Sequence, residues 1–563
     1  MEGQCLKHVS TSEAGRPIPW RGCGRQETSE SIPTSDIENG LNMRSSKGSH
    51  GLSMYTWLCV LLSTVSAMLM GYDIGIMSGA LLFVRESLRL NELQVEVIVG
   101  SLNLVAAVGS LVSGHVAGRL GRRRALLMSS LLFLLGNVVL AVSPNFLCLL
   151  AGRVVTGLGV GFAMMIAPLY SAEISPASLR GFLVSWTDVF VNVGILLGYL
   201  FGFAFEFVSP RYNWRLMLGA GALPAMFLGA AVLLKVLPES PRWLVLQGRE
   251  DEAREVMKRV VCNGDEEEAQ ERLDEILAAN KEELQQQVEE KMHITNDVQA
   301  GSSARPVYLV LKIRRLLASP LARMYMIAIA INFFQQASGI DALVYYSPVV
   351  FGQAGIQSKA GKLGATVGMG VTKLTFVLVA TSLLDRVGRK KLLYYSAGGV
   401  AACLSSVAGT FMLMGLNSAK GDSMLSVAVK ANAHPISPMA VAITILAVFA
   451  YVAFFSIGLG PISYVLTSEV FPLRHRSTAV GVSIFVNRAV SGSVALIFLT
   501  IAKAITPAGT FLLFAGITVL GILFVWLVVP ETKGKSLEEI AHYLSAKSDG
   551  LPAASTEMQP AQY

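Results

Sequence analysis

Six ionisable side chains interrupt apolar stretches of this 563-residue chain: Asp73, Arg153, Asp188, Asp341, Lys373 and Arg488. A lone charge near a bilayer centre costs at least ~2.5–3.5 kcal/mol on insertion scales, so each needs a partner or a water-filled cavity. Three acids stand against three bases, so the set is neutral when fully ionised. Asp73 and Arg153 both fall in the outer half of their stretches at ~1.5 Å rise per residue, and so come within reach of each other. Two chemistries fit that pair. One is a fixed salt bridge between helices. The other is a proton switch, in which protonating Asp73 frees Arg153 and lets the helices move. Asp188, Asp341, Lys373 and Arg488 either bridge helices or line a polar cavity.

A second chemistry resides in Phe334-Gln335-Gln336-Ala337-Ser338-Gly339-Ile340-Asp341-Ala342-Leu343-Val344-Tyr345-Tyr346-Ser347-Pro348. With the apolar segment from Met324 to Phe333 it reads as one spanning helix, yet its second half is studded with polar groups. In hydrocarbon such groups face other helices or a water-filled path. An amide both donates and accepts, which suits Gln335, Gln336 and Asn487 to a polyhydroxyl solute. Tyr345, Tyr464 and Phe454 offer rings to its C–H faces, against the plainer reading of packing. Gly339 permits a local break, and Pro348 is expected to end or bend the helix.

The elements that position these residues follow from composition. The chain is 53% hydrophobic and 15% charged, with mean hydropathy +0.53; a typical soluble protein is about 25% charged. About twelve apolar runs approach the ~20 residues a spanning helix needs. They lie near 54–80, 95–117, 125–143, 146–168, 182–204, 214–237, 322–346, 363–385, 391–415, 438–466, 477–502 and 508–529. The net charge of +7 comes from loop clusters, which speaks of topology rather than nucleic acid. Six scattered cysteines and seven dispersed histidines show no metal spacing or disulfide framework. No nucleophile–base motif or phosphate loop appears, so an enzyme is not expected and no cofactor is called for.

Residues 1–51 read as a disordered cytoplasmic tail, 52–237 as a six-helix half and 238–320 as a cytoplasmic helical linker. Residues 321–529 read as a second six-helix half and 530–563 as a cytoplasmic tail. Basic clusters at Arg119–Arg124, Arg386–Lys391 and Arg474–Arg476 alternate between loops, which sets both termini in the cytoplasm. Three motifs recur in order. Gly118-Arg119-Leu120-Gly121-Arg122-Arg123-Arg124 answers Asp385-Arg386-Val387-Gly388-Arg389-Lys390-Lys391. Ser171-Ala172-Glu173 answers Thr467-Ser468-Glu469, and Pro238-Glu239-Ser240-Pro241-Arg242 answers Pro530-Glu531-Thr532-Lys533-Gly534. A duplicated six-helix unit with its solute site between the halves is the architecture of many secondary transporters.

Together these motifs resemble the sugar porters of the major facilitator superfamily over residues 52–540. Gly71-Tyr72-Asp73, Gly152-Arg153, the PESPRWL block at 238–244, Gln-Gln-x-x-Gly at 335–339 and PETKG at 530–534 carry the likeness. Asp341, Lys373, an acid at 188 and Asn487-Arg488 are similar to the plant polyol/monosaccharide branch. Gly118, Tyr464 and Asp188 depart from the usual Asp, Trp and Glu. The resemblance implies an all-α membrane protein with the major facilitator fold. It favours the proton switch for Asp73 and Arg153. It also implies solute contacts for Gln335, Gln336, Asp341, Asp188, Tyr345, Lys373, Tyr464 and Asn487, with Lys373 charge-paired to Asp188 or Asp341. Gates would form where Arg119, Arg123, Arg386 and Arg389 meet Glu173 and Glu469.

The expected activity is proton-coupled symport of polyols or monosaccharides by alternating access. The proton would be the co-transported ion and the protein a plasma-membrane monomer. An uncoupled facilitator is the alternative, and a sugar sensor without transport is a third reading.

Overall fold

Residues 53–176, 179–261, 266–278, 280, 281, 285, 320–414, 438–471, 473–529 and 531 are described by a computed structural model. The tail 1–51, most of 282–319 and the residues beyond Glu531 lie outside them. The described residues are helical and contain no strand.

The first half holds α1 (Met54–Leu88), α2 (Glu92–Leu120), α3 (Arg122–Val142), α4 (Phe146–Ile174) and α5 (Arg180–Ala204), with α6 (Asn213–Gly219) and α7 (Ala222–Leu233) sharing the sixth span. Two short helices, α8 (Pro241–Leu246) and α9 (Glu250–Val260), follow. The second half holds α10 (Pro320–Ala337) and α11 (Ile340–Gln353), which form one broken span, then α12 (Lys359–Val387) and α13 (Arg389–Leu413). It ends with a second broken span, α14 (Pro438–Ile457) plus α15 (Leu459–Val470), then α16 (Leu473–Ile505) and α17 (Pro507–Leu527). Twelve stretches among the described residues are long and apolar enough to cross a membrane.

Local chemistry sets the ends. At α2, Asn91 and Gln94 close a reciprocal capping box, with N–O distances of 2.8 and 3.0 Å. Gly121 (φ 95°) and Gly388 (φ 98°) make the same turn in the two halves. Each turn starts a helix whose free N–H groups point at a carboxylate. Glu239 accepts from the backbone of Arg122 (2.7 Å) and Arg123 (3.1 Å). Glu531 accepts from Arg389 and Lys390 (3.2 Å each). The internal repeat read from sequence is thus a repeated capping device.

Gly339 (φ 87°) breaks the seventh span between α10 and α11. Pro348 does not end that span: α11 runs through it to Gln353. A proline strands the carbonyl four residues earlier, here Val344. That carbonyl accepts instead from Ser347 Oγ (3.2 Å) and from Tyr199 OH of α5 (3.4 Å), so the helix continues. At the break itself, the Ser338 carbonyl accepts from Tyr451 OH (3.1 Å). In the tenth span Ser396 bridges the gap, donating to Phe454 O (2.7 Å) and accepting from Leu459 N (2.9 Å).

Small residues bring the helices of the first half together. A Cβ on Gly71 would sit 1.9 Å from the Val191 carbonyl oxygen, and one on Gly194 would sit 2.1 Å from that of Met68. This contact of α1 with α5 fixes where Asp73 and Asp188 stand. The halves meet through α2 with α16 and α5 with α12. The named contacts lie toward the end where α1 finishes: Glu86 with Lys359 (2.8 Å), and buried Glu96 accepting from Thr500 N (2.7 Å) and Oγ1 (2.6 Å). At the opposite end, Trp243, Leu244 and Val245 of α8 pack with Ala253 and Leu273, and Val256 and Ile276 lie on that cluster. The Thr56 hydroxyl donates to Val260 O of α9 (2.8 Å), tying this layer to α1. Here the Glu266 carboxyl is held below the usual range by its hydrogen bond with Lys258.

Candidate functional site

Asp73 on α1 and Arg153 on α4 are 2% and 0% exposed. Arg153 Nη1 meets Asp73 Oδ1 at 3.3 Å, and its Nε donates to the Ile98 carbonyl of α2 at 3.2 Å. Asp73 Oδ2 and Arg153 Nη2 have no hydrogen-bond partner among the described residues. An Arg–carboxylate fork can use both oxygens; this pair uses one contact.

The second cluster surrounds the two broken spans. Gln335 donates to the Gly460 carbonyl (2.9 Å) and accepts from Asn487 Nδ2 (2.6 Å). Asn487 Nδ2 also reaches Asn332 Oδ1 (3.1 Å), and its Oδ1 accepts from Arg488 Nη2 (2.6 Å) and Tyr464 OH (3.4 Å). Gln336 orients its amide so that the nitrogen donates to Asp341 Oδ2 (3.1 Å) and the oxygen accepts from Arg488 (3.0 Å). Arg488 Nη1 lies 3.6 Å from Asp341 Oδ2, and Ser491 Oγ donates to the same oxygen. Tyr345 is fully buried, and its hydroxyl accepts from Asn103 Nδ2 at 3.3 Å.

Sequence reasoning left the partner of Asp341 between helices and offered Lys373. The structure gives the direct contact to Arg488. Lys373 and Asp188 stay half-buried on α12 and α5. They are within electrostatic reach of each other, with Asp341 also near Lys373, but make no direct ion pair among the described residues. Asn487 and Arg488 are adjacent on α16, so the helix that carries the amide carries the cation too. Phe454 turns away from this cluster: a Cβ on Gly399 of α13 would lie 2.4 Å from its ring, which therefore packs there.

The gate residues also sort differently. Glu173 takes a two-pronged contact from Arg122, Nη2 to Oε1 at 2.7 Å and Nε to Oε2 at 2.8 Å. Arg119 and Arg123 were the expected partners. Arg119 ends up exposed on the last turn of α2, and the turn at Gly121 swings Arg122 toward α4 instead. The repeat held the clue, because Arg122 aligns with Arg389. Arg386, Arg389 and Glu531 all carry interactions at the matching turn. The Glu469 side chain lies outside the described residues.

Residues missed at the sequence level are Asn103, Asn332, Ser491 and Glu96. All four are buried polar side chains in spans, and the argument applied to Asp73 and Arg153 applies to them.

A profile described as "Sugar (and other) transporter" matches residues 58–544. The chain is 41% identical over 532 residues to "Probable polyol transporter 4" of Arabidopsis thaliana, covering 93% of this chain and 92% of that one. It is 40% identical over 492 residues to "Polyol transporter 5" of the same plant, covering 87% and 86%. Its fold matches the inward-open xylose transporter XylE from E. coli, with TM-score 0.66 and 25% identity over 87% of this chain and 99% of that one. XylE bound to 6-bromo-6-deoxy-D-glucose, described as a proton:xylose symporter, matches equally, with TM-score 0.66 and 25% identity over the same shares.

Proposed function

The chain belongs to the sugar transporter family of the major facilitator superfamily, and from that membership we propose that it carries polyols or monosaccharides in symport with protons. It is a multi-pass membrane transporter, with twelve candidate spans among the described residues. The observation that carries the finer reading is the joint presence of two units. One is the lightly held Asp73–Arg153 pair. The other is the cluster of Gln335, Gln336, Asp341, Asn487 and Arg488 at two broken spans. Broken helices are typical of midplane solute sites, and Gln335 donates to the Gly460 carbonyl just after the break of the tenth span.

In this reading the linker end is cytoplasmic and the Glu96–Thr500 end faces out, so the contacts between halves close the outer side. Tyr345, Tyr464, Asp188 and Lys373 complete the solute site. Arg122 with Glu173, and the turn of Arg386 and Arg389 with Glu469, act as inner gates that break and re-form. The relatives' names support a polyol, and the XylE likeness supports the proton.

The test is uptake of labelled sorbitol, mannitol, inositol, xylose and glucose by cells lacking their own carriers. Concentrative uptake of a polyol that a protonophore collapses is the expected result. Saturable uptake that never exceeds equilibrium would establish the uncoupled facilitator instead.

Within this site, Gln335→Ala removes one of the two acceptors of Asn487 Nδ2 and the amide donor to the Gly460 carbonyl. A buried group left unpaired costs ~1–3 kcal/mol, so apparent solute affinity should fall roughly tenfold or more. Competition of labelled uptake at matched surface expression measures it. Unchanged affinity removes Gln335 from the solute site.

A further inference from the structure

We propose that Asn103 is the positioning residue through which α2 passes the state of the Asp73–Arg153 pair to the solute site at Asp341. The proposal rests on the symport reading above. It names a residue that neither the sequence motifs nor the relatives' names single out.

Side-chain contacts and one short stretch of α2 link one ion pair to the other. Arg153 holds Asp73 at 3.3 Å and, through Nε, the Ile98 carbonyl of α2 at 3.2 Å. Five residues along α2, ~7.5 Å at the helical rise, stands Asn103, fully buried. Its Nδ2 donates to Ser491 Oγ of α16 at 2.9 Å and to Tyr345 OH of α11 at 3.3 Å. Ser491 donates in turn to the Asp341 carboxylate, which Arg488 also faces. One amide of the first half therefore holds the hydroxyl that holds the solute-site carboxylate of the second half.

Two further observations separate a relay from simple glue. Asp73 Oδ2, Arg153 Nη2 and Asn103 Oδ1 are all buried without a hydrogen-bond partner among the described residues. Buried polar groups are normally satisfied, so these three atoms are open to other partners when the helices shift. Also, α2 and α16 are in backbone contact beside Asn103: a Cβ on Gly100 would lie 2.8 Å from the Gly492 carbonyl oxygen. A shift of α2 cannot be absorbed in soft side chains there.

The sequence of events follows. A proton on Asp73 cancels its hold on Arg153, which keeps the Ile98 carbonyl and lets α2 shift. Asn103 then loosens from Ser491, and the Asp341 carboxylate is freed to accept a solute hydroxyl. Solute on Asp341 keeps Ser491 away from Asn103 and so favours the proton on Asp73, as reciprocity requires of linked sites.

The experiment uses the full chain in liposomes, with whichever of the five labelled solutes the wild type takes up fastest. Proton movement and solute uptake are recorded together, and solute exchange separately. Asn103→Ala should lower the protons moved per solute about fivefold or more, while exchange falls by no more than about twofold. Asn103→Ser keeps a hydroxyl donor and should recover part of the ratio. A coupled wild type with an unchanged ratio in Asn103→Ala overturns the relay alone. Loss of exchange in step with coupling also overturns it, because Asn103 then only joins helices. A wild type that moves solute but no protons overturns the symport reading and the relay with it. If Asn103→Ala does not fold, Ser491→Ala breaks the next link and must lower the same ratio, or the proposal fails.

Discussion

Asp73→Asn protein is expected to reach the membrane, to exchange solute across it and to concentrate none. The side chain is 2% exposed and touches Arg153 through one oxygen only. Asparagine keeps the shape and the acceptor but cannot take or release a proton, so the switch is held in one position. Arg153 retains the Ile98 carbonyl and an amide oxygen as partners, which limits the damage to folding. A structural salt bridge predicts otherwise: removing one member of a buried pair costs ~3–5 kcal/mol and would lower expression and exchange together. The measurement is the ratio of inside to outside label at steady state, with counterflow run in parallel. Accumulation like that of the wild type, with the same response to external pH, would take the proton site away from Asp73.

The second large effect is expected at Asp341 and Arg488. Their charges lie 3.6 Å apart, and the side chains are 12% and 4% exposed. The other partners of Arg488 in this cluster are neutral: the amides of Asn487 and Gln336 and the hydroxyl of Tyr464. Asp341→Asn therefore strands a buried guanidinium, at a cost of ~3 kcal/mol or more, roughly a hundredfold in transport efficiency. Arg488→Gln strands the carboxylate and should cost a similar amount. The double variant removes both charges and should recover much of the loss. Lys373 provides the comparison, because it is near Asp341 without touching it. Coupling in the Asp341/Lys373 cycle should be the smaller of the two. A larger value there would mean that Lys373, not Arg488, balances Asp341 during transport.

Much of this protein can be read in its sequence because the relevant physics is local. A bilayer demands about twenty apolar residues per crossing, so the spans announce themselves in any window of that length. A charge or amide inside such a window is conspicuous, which is why Asp73, Arg153, Gln335, Gln336, Asp341 and Asn487 stood out before any fold was known. The same rule reached Asn103, Asn332 and Glu96 in principle. They are single polar residues without a motif around them, and nothing local ranks one buried polar residue above another.

Partner choice was decided only in three dimensions. Asp341 pairs with Arg488 and Glu173 with Arg122 because helix rotation and two glycine turns aim those side chains. Pro348 fails to end its helix because Tyr199, over a hundred residues away, supplies a donor to the stranded carbonyl. Sequence by itself determined which residues must find partners, because the cost of a polar group in hydrocarbon belongs to that group alone. Tertiary structure decided which partners they find, because a hydrogen bond depends on a distance and an angle that only the packed helices set.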